Sequence, residues 1–378
     1  MNPVLATLAD LIRINSVNPN YDGGVPEAKV ADYVYGFFAD RNITVRKHDV
    51  LPGRPNVIAT IAGADPDRRV ILEAHLDTVS IESMTIDPLD PVIRDGNMYG
   101  RGSCDTKGGL AAMMHAVAIV AQSGQQPLCE IVFVATIDEE YSYRGVADFC
   151  KTAHGDAAIV AEPTQLAPVI ASKGLVRFRI ETRGRAAHSA KPELGNNAIE
   201  QMAQVISAIR SDNQRLATSP HPLLGPATCN VGVVRGGLQI NLVPASCEIE
   251  LDRRLLPGET VAVVLDHYQF VLNKLSQRDS SIDAVIHRPM LTDVPLETDN
   301  RSDVVTVLRE VLRDLGHDTT PIGVPFCSDA SKLGAIGIPS VILGPGNIDQ
   351  AHAAVEYIEC QQVIDAVEIY RQFITKFQ

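Results

Sequence analysis

Four short apolar runs in this chain each lead into side chains that ligate cations. Val70-Ile71-Leu72-Glu73-Ala74 runs into His75-Leu76-Asp77, and Ile131 to Ile137 runs into Asp138-Glu139-Glu140. Ala158 to Ala161 precedes Glu162-Pro163, and Val341-Ile342-Leu343 reaches His352 through a Gly-Pro-Gly loop. Imidazole and carboxylate donors without thiolate suit an open catalytic zinc site better than a closed structural one. His75 and Asp77 are two apart, so on an extended segment they share a face while Leu76 turns to the core. That places the Asp77 carboxylate to accept the second ring N–H, fixing the tautomer and raising ligand basicity. Glu139 and Glu140 are consecutive and diverge by strand geometry, which suits two jobs, one binding metal and the other facing an attacking water. The glycine-rich stretch Gly100 to Gly109 lacks the order of a phosphate-binding P-loop and is not read as a nucleotide site.

These groups need a scaffold that brings strand ends together. Val4 to Ile14 and Glu27 to Asn42 have helical spacing; strand-like runs follow at 56–61, 69–74, 130–137 and 157–161, with a crossover helix at 107–122. The pattern predicts an α/β fold with a mixed, largely parallel sheet flanked by helices, and such sheets bind ligands beyond the carboxyl ends of their strands. Near Ser172 the texture changes to a βαββαβ order, which predicts an inserted α+β, ferredoxin-like domain. The α/β texture resumes with a helix at 301–315, a strand at 340–343 and a closing helix at 361–377. The expected domains are therefore a discontinuous catalytic domain, 1–172 with 291–378, and an insertion, 173–290.

Composition narrows the partners. With 378 residues the chain is longer than one compact core usually holds. A formal charge of −13 and a pI near 5.2 repel a polyanion, so nucleic acid is not an expected partner. No apolar run is long enough to span a bilayer, and the first residues lack an export signal, so the expected compartment is the cytoplasm. Seven scattered cysteines with no C-x-x-C pair predict reduced thiols rather than a disulfide framework.

Tyr99 to Gly109, His75-Leu76-Asp77, Asp138-Glu139-Glu140, Glu162-Pro163 and Gly344 to His352 together resemble the metallopeptidase family of acetylornithine deacetylase, succinyl-diaminopimelate desuccinylase, aminoacylase and glutamate carboxypeptidase. The likeness runs nearly the whole chain. It implies two Zn²⁺, with Co²⁺ or Mn²⁺ as substitutes. Asp105 would bridge them, His75 and Glu162 completing one site and Glu140 and His352 the other. Three carboxylates and one hydroxide balance two dications, leaving an uncharged cluster able to sit in a low-dielectric cleft. Glu139 would be the general base, and a cis peptide is expected at Asp105-Thr106.

Gly184 to Pro192 with Gly195 to Ile199 resembles the family's lid motif, which implies a homodimer in which His188 reaches a neighbouring active site. Asn241 and Arg254 match further lid motifs. Arg254 is the candidate for a substrate carboxylate, with Arg253 or a plain surface ion pair as alternatives. Ser328 and Asp329 lie where members place specificity groups; Asp329 would meet a substrate ammonium or cap a helix. The Gly344 to His352 segment with Glu356-Tyr357 looks most like the acetylornithine deacetylase branch, which serves arginine biosynthesis, whereas Ala353-Ala354-Val355 departs from the usual polar residues there. The expected substrate is a small N-acyl amino acid or short peptide. A desuccinylase or carboxypeptidase is the alternative, and a non-catalytic metal-binding protein the third reading.

Overall fold

The computed structural model describes residues 2–377 and divides into two compact units. The first comprises the chain up to Ile170, Glu297–Ile322 and the chain from Ser328 onward. Its sheet centres on four neighbouring, mutually parallel strands, in the order Cys129–Thr136, Asp65–His75, Ala157–Val160 and Ser340–Ile342. These are the runs that sequence patterning singled out, and their carboxyl ends lie side by side: His75 registers with Thr136, and Val160 with both Glu73 and Ile342. Antiparallel Arg54–Ile61 and Thr44–Leu51 extend the sheet beyond Cys129–Thr136. Sequence reading missed Thr44–Leu51. Its Arg46, Lys47, His48 and Asp49 are all exposed, so it shows no alternation of apolar and polar side chains.

Helix Gly108–Gln122 carries Leu110, Met113, Met114 and Val117 into the core and is buried on nearly every side, as its run of Ala and Met requires. It packs beside Pro3–Arg13 and Cys360–Lys376. Asn2 caps the first of these by accepting the Val4 N–H at 3.1 Å. All seven cysteines are free. Among the described residues, no helix is long and apolar enough to cross a membrane.

The second unit comprises Ala171–Leu296 and Gly323–Cys327. Its order is Gly174–Arg183, helix Ala198–Leu216, Thr228–Gly236, Ser246–Leu255, helix Val261–Arg278 and Ala284–Ile286, with Gly174–Arg183 flanked by Ser246–Leu255 and Ala284–Ile286. Val176, Phe178 and Ile180 alternate into a core with Met202, Val205, Ile249, Leu251, Val264 and Tyr268. This unit runs past the expected boundary at residue 290, because Leu291–Asp293 pairs with the start of Gly174–Arg183. A three-residue strand reading Leu-Thr-Asp offers no period to detect. Thr228–Gly236 forms an outer edge of this sheet, and just beyond it Leu238 and Ile240 are almost fully exposed, at 94% and 102%.

Candidate metal centre

The strand ends converge as two triads that share one carboxylate. His75, Asp105 and Glu162 offer donor atoms within 4.8 Å of one another, and so do Asp105, Glu140 and His352. One oxygen of Asp105 stands 3.0 Å from His75 Nε2 and the other 3.2 Å from His352 Nε2. Glu162 Oε1 lies 3.9 Å from His75 Nε2, and Glu140 Oε2 3.2 Å from His352 Nε2. Asp105 sits in a kinked turn, Ser103–Lys107, and its peptide bond to Thr106 is cis. Helix Gly108–Gln122 begins close against the strand that leads to Glu162. A Cβ at Gly109 would stand 2.7 Å from the Ala161 carbonyl oxygen, so only glycine permits that approach.

The support behind the ligands differs from the sequence expectation in two places. His75 Nδ1 lies 2.9 Å from the main-chain oxygen of Asp77, whereas the nearer Asp77 carboxylate oxygen is 3.7 Å away. The main chain thus fixes the tautomer, with Nδ1–H donating to the carbonyl and Nε2 turned toward Asp105. The Asp77 carboxylate instead accepts the amides of Glu139 at 3.1 Å and Glu140 at 3.2 Å. Likewise Glu139 and Glu140 do not diverge by strand alternation, because the strand ends at Thr136 and Asp138 turns the chain with φ 68°. A turn held by Asp77 separates their side chains.

Residues that the sequence did not flag hold this turn. Buried Asn18 donates from Nδ2 to Asp77 Oδ2 at 2.7 Å and to Asp138 Oδ1 at 2.9 Å. Asp138 also accepts from Ser142 at 2.6 Å, Arg144 at 2.5 Å and Arg54 at 3.1 Å, and Arg54 pairs with buried Glu27. Tyr21 Oη donates to the Glu140 carbonyl at 2.8 Å. Asn18 is uncharged and remote in sequence, so neither motif nor charge pattern pointed to it.

The electrostatics fit a pair of dications. Burial raises the Glu139 and Glu162 carboxyls well above their usual range, and burial with the nearby Asp105 charge pushes Glu140 up to about 7. Hydrogen bonds to Asp105 and Glu140 raise His352 to about 11. At His75 burial favours the neutral ring, but Asp105 and Glu162 outweigh it. Glu139, Glu140 and Glu162, raised by burial beside two imidazoles, hold protons that metal ions would displace, whereas at Asp105 burial is outweighed by His352 and His75, which keep the carboxylate ionised. The His and carboxylate donors match a catalytic zinc set.

Other predicted residues fall elsewhere. Asp329 is buried in the first unit, where Oδ2 accepts from Thr136 Oγ1 at 2.9 Å; it makes no side-chain cap to the helix Ala330–Ala335 that it precedes. Among the described residues, its Oδ1 and the buried Ser328 hydroxyl have no hydrogen-bond partner. The capping alternative for Asp329 is therefore corrected: its carboxylate turns to Thr136 at the end of a sheet strand instead of to the helix amides. In the second unit, exposed His188 is joined to the Asn241 segment through the Ser189 amide and the Asn241 carbonyl, 3.0 Å apart. His188 Nδ1 accepts from the Ala190 amide at 3.0 Å, which leaves the ring proton of the neutral form on Nε2. Arg254 pairs with Asp252 at 2.7 Å and remains half-buried, whereas Arg253 is buried against Glu259.

Comparison with known proteins agrees with this geometry. Residues 71–376 match peptidase family M20/M25/M40. An acetylornithine deacetylase of Myxococcus xanthus is 28% identical over 98% of this chain and 97% of its own length. An aminopeptidase from Bacillus cereus shares the fold with a TM-score of 0.82 at 20% identity, covering 98% of this chain and 97% of that one. A Bacillus subtilis protein described as a dinuclear metal-binding peptidase of family M20 superposes with a TM-score of 0.75 at 17% identity, covering 98% and 96%. The match across most of the sequence, over a shared fold, places this chain in peptidase family M20/M25/M40.

Proposed function

We propose that this chain is a dinuclear zinc deacylase that cleaves the amide bond of a small N-acyl amino acid, in the manner of an acetylornithine deacetylase. At the coarser level it is a metal-dependent amidohydrolase. The observation that carries the proposal is Asp105, whose two oxygens each face a different imidazole within two overlapping triads.

When bound, the two ions would polarise the scissile carbonyl and acidify a water near neutral pH. His75, Asp105 and Glu162 would hold one, and Asp105, Glu140 and His352 the other. Glu139, buried and fixed by its amide to Asp77, takes the water's proton and returns it to the leaving amine. Its raised proton affinity matches that task. His188 of a second chain donates from Nε2 to the developing oxyanion. Exposed Leu238 and Ile240 beside an open sheet edge support such a dimer. Arg254 would exchange Asp252 for the substrate's carboxylate, with Asn241 beside His188 as a further polar contact.

A peptidase of the same chemistry is the second reading, favoured by the structural likeness to an aminopeptidase. N-acetyl, N-succinyl and dipeptide substrates, each assayed with and without a chelator, separate the two. Chelator-sensitive release of acetate from an N-acetyl amino acid is the expected result. Preference for dipeptides would move the chain to the peptidase reading, and hydrolysis of none by the zinc-loaded protein would overturn both.

A further inference from the structure

The glycine-rich loop between Gly100 and Gly109 does cradle an anion, and that anion belongs to the chain itself. The carboxylate of Glu356, 1% exposed, accepts from Arg101 Nη1 at 2.7 Å, the Gly102 amide at 3.1 Å, the Cys104 amide at 2.9 Å and the Asp105 amide at 3.1 Å. Successive amides turned toward one point form an anion-binding nest. Gly102 lies in the left-handed region at φ 77°, which lets the chain curl round the carboxylate.

Glu356 stands four residues beyond His352. The Gly100 amide at the start of the loop donates to the Glu356 carbonyl at 3.1 Å, and the Thr85 amide, from a separate segment, donates to the Ala354 carbonyl at 2.9 Å. Tyr357–Glu359 pairs antiparallel with Asn97–Tyr99. One carboxylate therefore ties the turn carrying Asp105 to the segment carrying His352. The triad on the other side has its own tether. Thr106 Oγ1 donates to the carbonyl of Ala161, the residue before Glu162, and Gly109 packs against the same residue. His352 itself is more dependent on its segment, since it is half-exposed and held at φ 58°.

We propose that Glu356 is a positioning residue for the metal position formed by Asp105, Glu140 and His352, setting the separation of Asp105 and His352 and hence the affinity of that one ion. The inference rests on the dinuclear reading above but not on the substrate. Its chemistry is electrostatic and geometric: a carboxylate accepts all four donors, whereas a carboxamide turns one pair of N–H groups against its own NH₂.

The test is a titration of metal-free protein with zinc and with cobalt(II) against a competing chromophoric chelator, resolving two dissociation constants, with cobalt absorption reporting the geometry. Glu356→Gln is expected to weaken the second ion by about 10- to 100-fold, as loss of a partner behind a ligand typically does, and to leave the first within about threefold. Because Gln leaves the buried Arg101 guanidinium underpaired, the double variant Arg101→Met/Glu356→Met, which removes both charges, is titrated beside it and should show the same selective loss. Equal weakening of both ions, or none in either variant, would overturn the proposal. Wild-type protein that binds two ions yet deacylates nothing would instead sink the functional reading and leave this one standing.

Discussion

Replacing Asn18 with alanine removes the one side-chain donor that, among the described residues, Asp77 and Asp138 share, although Asn18 is itself neither a proposed metal ligand nor the proposed base. Its Nδ2 makes hydrogen bonds of 2.7 and 2.9 Å to two buried carboxylates. Each bond to a charged group is worth about 1.5 to 3 kcal/mol, so the variant should lose about 3 to 6 kcal/mol. At roughly 2 °C or more per kcal/mol for a unit of this size, Tm falls by at least about 6 °C. The Asp77 carboxylate would also shift away from the Glu139 and Glu140 amides that it now holds. Loss of alignment at that turn should lower kcat by about 10- to 100-fold. Asn18→Asp sharpens the argument through pH. A third carboxyl buried between two others has its pKa raised in the folded state, so it is tolerated below its unfolded value near 4 and destabilises progressively as pH rises. Thermal unfolding at several pH values and steady-state kinetics on zinc-loaded protein make the measurement. A Tm within 2 °C of the parent and unchanged kcat for Asn18→Ala would refute the claim that this amide organises the base.

Three further outcomes follow from the same geometry. Glu139→Gln should retain both metals by elemental analysis yet lose about 10²- to 10⁴-fold in kcat; near-normal turnover would remove Glu139 as the base. Burial alone would raise Asp138, but Arg144, Ser142 and Asn18 outweigh it and hold the carboxyl down to about 2. Its stabilising contribution is thus present above the unfolded value near 4 and lost as pH falls toward 2. Arg144→Ala should therefore move the acid-unfolding midpoint, followed by circular dichroism, to higher pH, and a fixed midpoint would count against that pairing. For the proposed dimer, Ile240→Asp, at a fully exposed position, should keep the folded circular dichroism spectrum while shifting sedimentation toward the monomer and reducing activity; an unaltered sedimentation coefficient would count against a dimer through this face.

Part of the proposed ligand set is legible in the residues themselves. His75 and Glu140 stand just beyond apolar runs, a local signal that needs no tertiary information, whereas Glu162 and His352 are reached chiefly through the resemblance of whole motifs. The βαββαβ order of the second unit is equally local, since its two helices and three longer strands each fill several periods. What sequence left undetermined was every distance between runs. Sheet order puts the four strand ends side by side, and only that order turns separate donors into two triads with Asp105 in common. The partners of the support groups were also beyond local reading. Asn18 meets Asp77 across 59 positions and Asp138 across 120, and Glu356 meets Arg101 across 255. A polar side chain has several possible partners and no period, so its choice is made by the backbone that folding delivers to it. For that reason sequence spacing points Asp77 at the imidazole whereas its carboxylate serves two amides, and the glycine-rich loop, which lacks a phosphate-binding order, encloses a carboxylate. The kinds of donor and their places after apolar runs are local properties of the chain; the distances and partners that group those donors arise only once the sheet lays distant segments side by side.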